Sequence, residues 1–354
     1  MKTQRIWFGC SLGLGLSILF GWSYGFFAIM LPLFILSRAD FFHLPTLFIL
    51  LFSAIWSTLQ ATFILEYLQF HPVLLVVAVG VMMLGKCIAM MRPSTYMFGY
   101  MGLLVGSIVL NFASYDFIDI EEFNVNLWVI ALVNIPVCAL AYWFFPEPRT
   151  TTLLTESTEL SSASSSSQST TLNTPVKRDI DYISQVAMGW VVAMTAFVLF
   201  QVADLYDSLS AQASILIVLT PMTLAGSLAM AKIRILGTGL GCLAGLTVQL
   251  ILGSWFGHGV LFWLAFTIAM GPFCYWLTKG AVKGAIAFSA MAALSVPLTT
   301  SLVPEQQDAF FSIVYRFSSI FVAVVLTAML MWLVHHWIRI TLLNNNKACA
   351  HQEE

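Results

Sequence analysis

The chain alternates long uncharged apolar runs with short polar breaks, and the runs are about as long as a helix that crosses a bilayer, roughly 20 residues. The first stretch, 6–36, carries no charge and is too long for one upright helix. Gly21-Trp22-Ser23-Tyr24-Gly25 in its middle reads as a tight turn with aromatics at interface depth. This pattern predicts helices over 5–21 and 24–37, and the next runs predict helices over 46–67, 72–91, 95–113 and 126–145. Residues 146–183 then lose all hydrophobic period in a Ser/Thr-rich tract that has too little apolar area to order itself. Apolar runs resume over 184–203, 211–231, 234–253, 259–278, 281–301 and 309–337. The expected architecture is an all-α polytopic membrane protein of about twelve transmembrane helices. Its parts are a six-helix half over 1–146, a flexible cytoplasmic linker over 147–183, a second six-helix half over 184–340 and a cytoplasmic tail over 341–354.

Charge tests the count. With the N-terminus inside, every Lys and Arg except Lys86 and Arg316 falls in a cytoplasmic segment. The outer loops carry Asp116, Asp119, Glu121, Glu122, Asp204, Asp207, Glu305 and Asp308 instead. A miscounted span would invert everything after it and scramble this positive-inside bias, so both termini are expected in the cytoplasm. Composition agrees: 59% of residues are hydrophobic and 9% charged, against about a quarter charged in soluble domains. The net charge of −2 says nothing about nucleic acid, and no basic tract suggests it, so no nucleic-acid partner is expected. The N-terminal MKTQR and its apolar run resemble a signal peptide, but Ser23-Tyr24-Gly25 is a poor cleavage site and an uncleaved first helix is expected.

The six cysteines form no CxxC and the six histidines are scattered, so no metal site and no cofactor is expected. No Walker motif is present, which excludes ATP hydrolysis, and no His/Asp or Ser/His set gathers at the span ends. The chain is therefore not expected to be an enzyme.

One stretch stands out, AKIRILGTGLGCLAGLTVQLIL over 231–252. Gly237, Gly241 and Gly245 fall four apart on one helical face, a stripe along which a neighbouring backbone can come close. Thr238 adds a hydroxyl that can bond its own helix or a neighbour. Lys232 and Arg234 precede the run and read as cations at its cytoplasmic edge. The GxGxxG spacing is not met, because Cys242 stands where the third glycine belongs. The halves also echo one another. Met30-Leu31-Pro32 answers Leu219-Thr220-Pro221, and Arg5 with Gly9 and Gly13 parallels Arg234 and its stripe, which suggests parallel repeats about an axis along the membrane normal.

Arg234, Gly237, Thr238 and Gly241, spaced R-x-x-G-T-x-x-G with Gly245 beyond, resemble the motif of the fusaric acid resistance and aromatic acid exporter group of bacterial inner-membrane proteins. Residues 22–37 and 214–225 resemble the aromatic, Pro-containing helix that precedes it. Larger members carry a soluble domain where this chain has only the Ser-rich linker. The resemblance implies an inner-membrane exporter of small, often aromatic, organic acids that works beside a periplasmic adaptor protein. Partners expected on that reading are the lipid bilayer, a small organic anion, the adaptor and further copies of the chain.

Ionisable residues within spans are the candidates for binding or coupling. Arg316 lies inside the last span, where a carboxylate would find a partner, although it can also snorkel outward or pair with Asp308 or Glu305. Lys86 lies near the inner end of its helix, within snorkelling reach of the headgroups. Glu66 lies at the outer end of its helix, where it can exchange protons with the periplasm. Arg234 is the fourth candidate. Asn111, Asn134, Gln201 and Gln249 are expected to bond between helices. The leading function is proton-driven efflux of small organic acids. A non-transporting scaffold of an envelope complex and a major-facilitator-like carrier stand beside it, the latter without its usual loop signature.

Overall fold

The computed structural model describes residues 1–22, 24–38, 44–112, 119–146, 175–203, 209–253, 258–300 and 309–350. Among the described residues the structure is helical throughout. The elements are α1 (Lys2–Phe20), α2 (Phe26–Arg38), α3 (Leu44–Leu68), α4 (Pro72–Met90), α5 (Tyr96–Phe112), α6 (Ile120–Phe144), α7 (Pro175–Val202), α8 (Leu209–Val218), α9 (Leu224–Leu252), α10 (Gly259–Leu277), α11 (Ala281–Thr300) and α12 (Ala309–Ala350). Of these, α3, α4, α6, α7, α9, α10 and α12 include stretches long and apolar enough to cross a membrane, while α2, α5 and α11 are shorter apolar helices. This is a multi-pass helical membrane protein.

Local chemistry sets the ends. Gly21 closes α1 in the left-handed conformation at φ 61°, where a side chain would be strained. Asp119 caps α6 by accepting from the amides of Glu121 and Glu122, at 2.9 and 3.1 Å. Three boundaries differ from expectation: α6 begins at Ile120 where 126 was expected, α7 begins at Pro175, inside the stretch read as linker, and α12 runs to Ala350, into the stretch read as tail.

The largest departure lies before the glycine stripe. Helices were expected over 211–231 and 234–253, with a cytoplasmic joint at Lys232 and Arg234. Instead α8 stops at Val218, the chain turns through 219–223, and α9 runs unbroken from Leu224 to Leu252. Pro221 lacks an amide proton and disfavours helical geometry in the residue before it. Met222 takes φ 52°, and Thr223 starts the new helix by accepting from the Gly226 amide at 3.3 Å. Arg234 therefore lies in a helix interior, not at a helix edge. With 10 residues, α8 is about 15 Å long, half of a hydrocarbon core of roughly 30 Å.

Packing does not follow the linker. One core gathers mainly α3, α4, α5, α7, α8 and α12, and the other mainly α1, α2, α6, α9, α10 and α11. Each bundle thus takes three helices from each half of the chain. The neighbours recur with an offset of six. The pairs α1–α2, α1–α6, α2–α6, α3–α4, α3–α5, α3–α6 and α4–α5 are matched by α7–α8, α7–α12, α8–α12, α9–α10, α9–α11, α9–α12 and α10–α11. Between halves, α1–α10 answers α7–α4, and α2–α11 answers α8–α5.

A side-chain bond recurs with them. Trp7 Nε1 of α1 donates to Thr267 O of α10 at 2.7 Å, and Trp190 Nε1 of α7 donates to Gly80 O of α4 at 2.8 Å. Thr267 and Gly80 are each the ninth residue of their helix. The offset pairs α2 with α8, but Pro32 lies inside α2 whereas Pro221 lies in the turn after α8. It does not agree with the likeness drawn between the Arg5 and Arg234 segments, because α9 corresponds to α3 and not to α1.

Candidate functional site

In a helix a long side chain points back toward the N-terminus, which aims Arg234 at the turn through 219–223. Its Nε donates to Ser214 Oγ of α8 at 3.1 Å and its Nη1 donates to Ser289 Oγ of α11 at 3.2 Å. Ser289 Oγ in turn lies 3.3 Å from Arg234 O, within donating distance. The approach of α11 depends on the residue one turn further on. A Cβ at Gly237 would lie 2.5 Å from Ser289 Cβ and 2.6 Å from Ile286 O, so glycine is what lets Ser289 reach the arginine.

The side chain is 5% exposed, and its hydrogen-bond partners are neutral. Among the described residues no carboxylate pairs with it. Ser214 belongs to one bundle and Ser289 to the other, so the guanidinium bridges the two. A cation held this way lacks the ionic partner that normally offsets several kcal/mol of desolvation.

An aromatic cluster extends from this point to the surface. Tyr100 of α5 is buried and lies within electrostatic reach of both Arg234 and Arg38. Arg38, exposed at the end of α2, sits 4.8 Å over the Phe34 ring. Phe34 meets Tyr100 at 6.2 Å and Phe288 of α11 at 6.3 Å between ring centroids. Tyr96 Oη, one turn before Tyr100, lies 3.5 Å from Thr220 O, at the outer limit of a hydrogen bond to the carbonyl beside Pro221. These contacts again join the two bundles.

The other candidates separate. Lys86, expected to snorkel, is 4% exposed. Its Nζ donates to Ser57 Oγ of α3 at 3.1 Å and lies 4.6 Å over the Phe98 ring of α5. It fails to snorkel because α3 and α5 close over it. Glu66 is exposed on a groove of α3 that it shares with Trp56, Gln60 and Phe63, away from Lys86 and Arg234. Arg316 is half-buried on α12 and shares with Arg234 the electrostatic neighbourhood of Cys242.

Within the glycine stripe, a Cβ at Gly241 would overlap Ala290 O and lie 2.9 Å from Ala293 Cβ. At Gly245 the nearest atom is Ile313 Cδ1 at 3.5 Å, an ordinary contact, so the tight approach stops after two glycines. The fully buried Thr238 hydroxyl, expected to bond, has no hydrogen-bond partner among the described residues. Of the polar residues, Gln201 Nε2 donates to Asn111 Oδ1 at 2.9 Å between helices, whereas Asn134 Nδ2 bonds Ile130 O of its own helix.

Sequence reasoning missed Ser214, Ser289, Ser57, Tyr100 and Arg38. Serines and tyrosines in apolar runs look alike, and only the turn at 219–223 reveals which of them meet Arg234. The one signal available was the spacing of Gly237, which marks where α11 comes close.

A family model described as "Protein of unknown function (DUF2955)" matches residues 2–141, which comprise α1 to α5 and most of α6. Arg234 and the glycine stripe lie outside the matched segment. Comparison with curated proteins and with solved structures finds no match.

Proposed function

We propose that this chain is a secondary transporter that exports small organic anions, aromatic acids among them, across a bacterial inner membrane. On this reading the twelve helices form two parallel six-helix repeats with both termini cytoplasmic. The offset-of-six neighbour pattern and the paired indole bonds support the repeats.

The observation that carries the function is Arg234, a buried guanidinium between two bundles with neutral partners only. A carboxylate entering there would gain charge-assisted hydrogen bonds and neutralise the cation. To do so it must compete with Ser214 and Ser289 for the same N–H groups. Binding thereby loosens the bridge between the bundles, and their relative rocking carries the anion across. Arg38 on the surface is the first cation the anion would meet, with Tyr100 between it and Arg234. A periplasmic adaptor and self-association belong to this proposal as partners that receive or stabilise the exporter.

The test is loss of the gene followed by growth on a panel of aromatic and aliphatic organic acids. Sensitivity to one class is expected to rise, and to be restored by the wild-type chain but not by Arg234→Gln. Arg234→Lys keeps the charge but lacks the fork that serves both serines, so it is expected to restore growth only in part. Equal growth of the null and wild-type strains over the whole panel would refute export and favour the scaffold reading.

A further inference from the structure

Lys86 is, with Arg5 and Arg234, one of three buried cations among the described residues, and its surroundings suit a very small ligand. Its Nζ lies against Ser57 Oγ at 3.1 Å and the Phe98 ring at 4.6 Å. A Cβ at Gly102 would lie 2.8 Å from Nζ and 2.9 Å from Ser57 Oγ, so the amino group occupies space that a side chain at 102 would fill. An ammonium here has one hydroxyl and one ring face in place of a hydration shell.

The groups facing it offer no counter-charge. The helices packed on α4 are α3, α5 and α7. On α3 the titratable residues are Glu66 and Tyr67, both exposed near its far end. On α5 they are Tyr96, which reaches toward Thr220, and Tyr100, which lies near Arg38 and Arg234. On α7 the titratable residues are Lys177, Arg178, Asp179, Asp181 and Tyr182, all within its first eight positions, and Tyr182 is exposed. None of these interacts with Lys86 among the described residues.

Such a site can be relieved by an anion or by loss of a proton. Gly102, Ser57 and Phe98 crowd Nζ, which disfavours a carboxylate, whereas a proton needs no cavity. Arginine does not release its proton in proteins, and lysine does. We propose that Lys86 is a proton-binding site that couples anion export to the proton gradient. The amine takes up a proton from the periplasmic side and becomes an ammonium; release of that proton to the cytoplasm restores the amine. One proton moves inward for each anion moved outward. Gly102, against which Nζ packs, lies two residues from Tyr100 on α5, so Lys86 and Arg234 both bear on one helix. The coupling role rests on the transport reading above, but proton binding itself does not.

Two measurements on the full-length protein in lipid vesicles separate these. In the first, lysine side chains are labelled with nitrogen-15, and the resonance missing from Lys86→Arg identifies Lys86. It is expected to change from ammonium to amine over a pH range in which the other lysines stay ammonium. If it stays ammonium with them, the proposal is overturned, whatever the chain transports.

In the second, vesicles are made more acidic inside by about one pH unit, with the potential clamped by potassium and valinomycin, and take up 4-hydroxybenzoate. Exchange of protons out for anions in is worth about tenfold accumulation at one proton per anion. Leak of the neutral acid would run the opposite way. The ratio of gradient-driven accumulation to 4-hydroxybenzoate exchange is expected to fall about tenfold in both Lys86→Arg and Lys86→Met. An unchanged ratio in either folded variant overturns the coupling. A wild-type protein that moves no 4-hydroxybenzoate counts against the transport reading, and the resonance then decides the proton site alone.

Discussion

Adding one methyl group at Gly241 tests whether the α9–α11 approach holds the bundle together. In Gly241→Ala the new Cβ would overlap Ala290 O and sit 2.9 Å from both Ala290 C and Ala293 Cβ. Two of those three atoms are backbone, so no rotamer change relieves the clash. The helices must part by about 1 Å, and a gap of that size forfeits up to half of each close contact. For on the order of twenty atom pairs at about 0.15 kcal/mol each, the loss is roughly 1.5 kcal/mol. Strain brings the total to about 2 kcal/mol, within the usual range for overpacking. That is about a thirtyfold change in the folded-to-unfolded ratio.

The controls lie in the same helix. At Gly239 an added Cβ meets only Phe317 at 3.5 Å, and at Gly245 only Ile313 and Leu294 at 3.5 and 3.7 Å. There alanine has ordinary contacts and better helix propensity, so Gly239→Ala and Gly245→Ala are expected to be neutral or to stabilise by up to about 1 kcal/mol. Thermal unfolding in detergent, with folded yield from size exclusion, orders the three variants. If Gly241→Ala is as stable as Gly239→Ala, the close approach does not hold α9 to α11 and the reasoning fails.

Two further predictions follow from the repeat and its orientation. Trp7→Phe and Trp190→Phe each remove one indole donor to a helix carbonyl, so each is expected to cost about 1 kcal/mol in thermal unfolding, with the double variant additive; a large cost at one site and none at the other would count against equivalent positions. A reporter fused at Ser165 is expected to read cytoplasm and one at Asp116 periplasm; the same side for both would break the proposed topology.

Much of this fold was legible in the chain because solvent writes it there. Runs of apolar residues mark helices wherever charge, Gly or Pro ends them, and α3, α4, α10 and α11 begin and end within a few residues of expectation. The turn at 219–223 was not legible, because a hydrophobic run around Pro221 reads the same whether the helix kinks or reverses. That ambiguity misplaced Arg234: a charge at the end of an apolar run looks like an edge, and only a reversal a few turns earlier puts it in the interior. Lys86 misled for a related reason. Its distance from the helix end allows snorkelling, and nothing in its own segment says that Ser57 and Gly102 will close over it.

The exchange of helices between bundles is the feature a linear reading misses most completely, and it bears on the parts proposed for Arg234 and Lys86. Hydrophobic pattern says that a face is buried but not against which half. Here α9 belongs mainly to one core yet packs along α12 of the other, so Arg234 spans the boundary. Lys86 instead lies wholly within one bundle, among α3, α4 and α5. A group that bridges two bodies senses their separation, whereas a group inside one body senses only its own charge state. On the transport proposal that division separates two tasks: the arginine would meet the anion at the gap that must open, and the lysine would carry its proton within one bundle between uptake on one side and release on the other. The two meet on α5, where Gly102 faces Lys86 and Tyr100 lies near Arg234. On the proposed coupling, α5 is the helix through which a change of charge at one site would reach the other.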